Sequence, residues 1–66
     1  PAAEDLELPE DLVDLEAWLV AVLRVAAPSR LASALAEAEA AALERFAPRD
    51  VVAAMRRVLA FELACR

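Results

Sequence analysis

A chain of 66 residues makes one small domain at most, and a core this size usually needs a disulfide, a metal or an oligomer to support it. Cys65 is the only cysteine and histidine is absent, so an intrachain disulfide is excluded and no metal or cofactor site is expected. A net charge of −5 speaks against nonspecific nucleic-acid binding and against anionic membranes, which leaves another polypeptide as the support to look for.

All seven basic residues are arginines, and the chain has no Gly, Lys, Tyr, Thr, Asn, Gln or Ile. Ala, Leu, Glu and Arg are good helix formers. Without Gly or Asn, the tight hairpins that join β-strands are unavailable. The expectation is an all-α fold: a compact three-helix domain with short proline-marked connectors, assembled as a helical dimer. The arginine bias points to a G+C-rich gene and a bacterial origin. No basic n-region precedes an apolar stretch at the amino end, so no secretory signal is read and a cytoplasmic location is expected. The absent initiator Met fits either its removal or excision from a longer chain.

Residues 1–8 read as an acidic lead-in, with Leu6 and Leu8 placed to staple the first helix. From Pro1 to Glu16 there are seven acids and no base; from Ala17 onward, seven arginines and five acids. The two parts therefore carry −7 and +2.

The domain proper is expected over residues 9–66. Pro9, Pro28 and Pro48 each stop one element and start the next, since proline fits a first helical turn and disfavours helix in the residue before it. The first helix is expected from Pro9 to Ala26. Glu10, Asp11 and Asp14 suit the positive end of its dipole. Leu12, Leu15, Leu19, Val22, Leu23 and Ala26 make one stripe at helical spacing. Trp18 and Val25 lie on one flank of it, Val13 and Val20 on the other. The stretch Ala17–Ala27 is thus apolar on every side except at Arg24, and such a helix must be covered all round.

The second helix is expected from Ser29 or Arg30 to Phe46, with Ser29 as N-cap. Its core line is Leu31, Leu35, Ala38, Ala42 and Phe46, small in the middle and large at the ends. The third is expected from Pro48 to Ala64. Val51, Ala54, Met55, Val58, Phe61 and Cys65 form one stripe; Val52, Leu59 and Leu63 form a second beside it. The connectors allow hairpins or corners but no long crossover, and the lack of Gly favours corners.

No catalytic, metal or nucleotide motif stands out, and the chain is not expected to be an enzyme or to take a small-molecule substrate. Glu10, Asp11 and Asp14 are neighbours at a helix start, where solvation explains them better than a cation does. Glu62 falls inside an apolar sector, either as a buried acid or reaching an arginine such as Arg66. An amino-terminal proline can act as a base on β-α-β scaffolds, but nothing here reads as a strand. Arg49, Arg56 and Arg57 on the third helix suggest a helix-turn-helix recognition face. Base reading also draws on Asn, Gln, Lys, Ser or Thr, and that helix has none of them.

The expected function is therefore protein–protein interaction: a dimerisation or docking module, acting by burial of surplus apolar helix surface. The partner would be a second copy or another helical protein, with no nucleic acid and no membrane involved. The interface residues expected are Trp18, Val20, Val25, Leu59 and Leu63, with Arg56 and Arg57 drawn to the acidic start around Asp14. A small helix-turn-helix-like regulatory or DNA-associated domain is the alternative.

Overall fold

The prolines and the alanine-rich segments between them dictate the architecture seen in a computed structural model, which describes residues 7–65. Three helices form: α1 (Leu15–Val25), α2 (Leu31–Leu43) and α3 (Pro48–Ala64). There is no strand among the described residues. Leu6, one half of the expected staple, and Arg66 lie outside them.

α3 starts and stops where the sequence pattern places it. Pro48 occupies its first turn, and Ala47 before it is extended at φ −64° and ψ 142°. Pro28 acts in the same way on Ala27, at φ −63° and ψ 145°. Proline's ring forbids helical angles in the residue ahead of it, so each corner is cut by one steric rule. No described residue has a positive φ, as a chain without glycine requires.

The other boundaries differ from expectation. Leu12–Asp14 is a single 3-10 turn and α1 proper begins only at Leu15. The segment before it is engaged elsewhere: Arg45 Nη1 donates to the carbonyl oxygens of Leu8 at 3.0 Å and Pro9 at 3.1 Å. Leu12, expected in the core, is 45% exposed. Ser29 does not cap α2 through its side chain; it sits inside a 3-10 turn over Pro28–Arg30. α2 stops at Leu43 rather than Phe46, and its end tightens as Arg45 N–H and Phe46 N–H both donate to the carbonyl of Ala42.

Among the described residues nine are buried, and four of them are alanines: Ala34, Ala38, Ala42 and Ala54. Leu15, Leu19 and Val22 face them from α1, and Val51 and Val58 from α3. The small residues of α2 fall every fourth position, on one face, where they let neighbouring helices come close. Such closeness makes a tight core but a thin one. Leu8, Trp18, Val20, Leu23, Ala26, Phe46 and Met55 pack against it, each partly buried.

Two long-range pairs fix the sense of the helices. Glu16 meets Arg57, and farther along both elements Arg24 meets Glu62. α1 and α3 therefore advance in the same general direction, with α2 returning between them.

Candidate functional site

α3 carries the largest stretch of uncovered apolar surface. Its core line, Val51, Ala54 and Val58, is fully turned inward. One step round the helix stand Val52, Leu59 and Leu63, exposed by 42%, 38% and 70%. They are seven and four residues apart, so at 100° per residue they share an arc of about 40°. The pattern is that of an amphipathic helix with a second apolar row left outside the core.

Phe61 and Cys65, both expected in the inner stripe, are exposed. Both come in the last turns of α3, Phe61 level with the last turn of α1, where Arg24 meets Glu62, and Cys65 beyond it. On α1, Val25 is exposed for the same reason, since it too stands at a helix end.

Trp18 and Val20 were expected in the surplus; both are half-buried against the core instead. Trp18 is wide enough to lie over a core made largely of alanines. Its Nε1 is shielded from solvent yet has no hydrogen-bond partner among the described residues. An indole N–H in that position usually finds one, so the ring is there for its apolar area.

The charged residues divide into engaged and free. Arg57 Nε donates to Glu16 Oε2 at 2.8 Å. Arginine does reach the acidic start of the first helix, through Glu16 rather than Asp14. Both side chains are exposed, at 60% and 45%, and a pair so placed contributes between zero and about 1 kcal/mol. Arg56 and Asp14 are exposed, and neither pairs with a described residue. Glu62 is approached by Arg24, a residue the sequence reading did not connect with it. Its position inside an apolar sector was the available signal; the partner's identity required the α1–α3 packing.

Comparison with family models, with curated proteins and with solved structures finds no match. The site thus stands on its own geometry. Among the described residues no group of three or more Cys, Asp or Glu could hold a metal ion, and no described helix is long and apolar enough to cross a membrane. The arrangement offers burial and charge complementarity.

Proposed function

We propose that this chain is a protein–protein interaction module, and that a second copy of itself is the partner. The observation that carries the reading is the outer row of α3, Val52, Leu59 and Leu63, standing in solvent on a helix whose inner face is fully packed. A thin core leaves this surface over because alanines cannot cover leucines. Each Å² of it withdrawn from water contributes roughly 25 cal/mol. A standard interface takes about 800 Å² from each partner, roughly a sixth of this chain's 4583 Å².

Charge favours a second copy over an unrelated chain. The acids Glu10, Asp11 and Asp14 are exposed at the start of the first helical segment, and Arg49 and Arg56 are exposed on α3. One chain therefore carries both members of a complementary pair of patches. In a two-fold dimer each patch meets its opposite on the neighbour, and the contact forms twice. Val25 and the Leu59–Leu63 pair would lie at the centre, with Arg56 at the rim.

Sedimentation equilibrium at micromolar concentration tests this. The expected species has twice the chain mass of 7.1 kDa. A monomer throughout that range would overturn self-association. Titration with duplex DNA separates the DNA-associated reading, which requires binding with a steep salt slope.

A further inference from the structure

Residues 7–11, ahead of the 3-10 turn at Leu12–Asp14, have no regular secondary structure, yet they are held. Arg45 Nη1 chelates two successive carbonyls, Leu8 at 3.0 Å and Pro9 at 3.1 Å, across 37 and 36 positions of sequence. The Leu8 side chain packs against the core from outside, as Phe46 does next to Arg45. Glu10 and Asp11, which join this segment to the helical region, are exposed. Asp11 is extended, at φ −102° and ψ 138°, and its side chain makes no capping bond.

We infer that residues 7–11 form a strap latched by Arg45, which opens as a unit while the three helices stay folded. Three features require this. The hydrogen bonds named here tie the strap to the end of α2, so losing them costs α1 none of its own bonds. The latch is a single exposed guanidinium, whose bonds exchange with water and contribute only about 1 kcal/mol each. The remaining hold is a partly buried Leu8 with Pro9, a fraction of what a fully buried leucine contributes. The bond from Asp14 N–H to the Asp11 carbonyl, at 3.1 Å, lies at the strap's hinge end. Segments with few buried contacts and solvent-exposed bonds open locally, ahead of global unfolding.

Opening has a structural consequence. The seat of Leu8 lies on the core near the α2–α3 corner, and with the strap away that part of the core is uncovered. The latch thereby sets how much apolar surface the domain presents at this corner. The strap carries Glu10 and Asp11, two acids of the proposed dimer contact. The latch itself rests on Arg45, Leu8 and Pro9 alone and is tested at concentrations where the chain is a monomer.

Glu7 and Glu10 flank the latched carbonyls, so a glutamate-specific protease reads the open fraction directly. Cleavage follows the open population when opening and closing are fast. For Arg45→Ala in the full chain, cleavage at these two sites should rise about tenfold, which corresponds to 1.4 kcal/mol of lost latch. The thermal midpoint of the helical signal should barely move. Leu8→Ala removes the apolar hold without touching Arg45 and should also speed cleavage. Unchanged cleavage in both variants overturns the latch. So does a rise that merely tracks a falling midpoint, because the strap would then open only with the whole domain.

Discussion

Glu62 places its Oε1 atom 3.9 Å from Nη2 of Arg24, near enough for an ion pair and too far for a hydrogen bond. That oxygen is shut off from solvent and has no hydrogen-bond partner among the described residues. The two ends of the pair are unequally placed: the Arg24 side chain is 68% exposed and that of Glu62 only 18%.

The inequality predicts the response to substitution. Glu62→Met keeps the length of the side chain, removes the shielded carboxylate and strands no charge, because Arg24 is already in water. Relieving one unsatisfied, partly buried polar group stabilises by about 1 kcal/mol. In a domain of this size that raises the thermal midpoint by roughly 4–8 °C. Calorimetry on the two proteins checks it, and a lower midpoint for the methionine variant would mean that Arg24 holds Glu62 more strongly than the geometry shows.

The alanine face of α2 predicts intolerance to growth. Ala42 is 0% exposed and lies among Leu15, Leu19 and Val51 in the core. Ala42→Leu adds three carbons where helices are already close. The expected loss is about 1–3 kcal/mol of overpacking strain. Ala40→Leu, at an exposed position of the same helix, should stay within about 0.5 kcal/mol. Chemical denaturation of the pair tests whether closeness, rather than helix propensity, selects alanine at position 42.

How far the sequence led follows from which forces were local. Proline sterics and side-chain spacing act within a few residues, so the bounds of α3 and the buried positions Leu15, Leu19 and Val22 of α1 could be read directly. On α2, by contrast, the buried line runs through Ala34, Ala38 and Ala42 and leaves the expected Leu31 and Leu35 half-buried. Val51, Ala54 and Val58 follow from period alone. Leu12 did not, because it falls in a 3-10 turn ahead of α1, where the 3.6-residue period no longer gives its direction. Phe61 and Cys65 fit the helical wheel yet stand outside, since a wheel gives direction but not which part of that direction a neighbouring helix covers. Trp18 was placed on the right flank, but whether a flank is covered depends on the reach of the indole over an alanine core, a packing property.

The outer row of α3 predicts a separation of association from folding. Leu59→Ser with Leu63→Ser removes two exposed side chains that the core does not use. Folding stability should change by no more than about 0.5 kcal/mol per site, as for surface positions generally. Self-association should weaken by at least tenfold, the equivalent of 1.4 kcal/mol. Sedimentation gives the second quantity and denaturant midpoints of the monomer the first. If the double variant associates as the parent does, the row is not the contact.

Trp18 is the residue on which core and surface readings divide most sharply. Its ring packs against the core while its Nε1 lies shielded and unbonded. Those two facts act in opposite directions: the ring area stabilises, and the buried N–H costs. Trp18→Phe keeps most of the area and removes the N–H, so the change in stability should be under about 1 kcal/mol. Trp18→Ala loses the area as well. A fully buried tryptophan gives 3–5 kcal/mol, so a half-buried one should give about 2. Far-ultraviolet circular dichroism during urea unfolding measures both without relying on the missing fluorophore. A large loss for alanine with little for phenylalanine identifies Trp18 as the cover of the core. A small loss for both, accompanied by weaker association, would assign the ring to the interface instead.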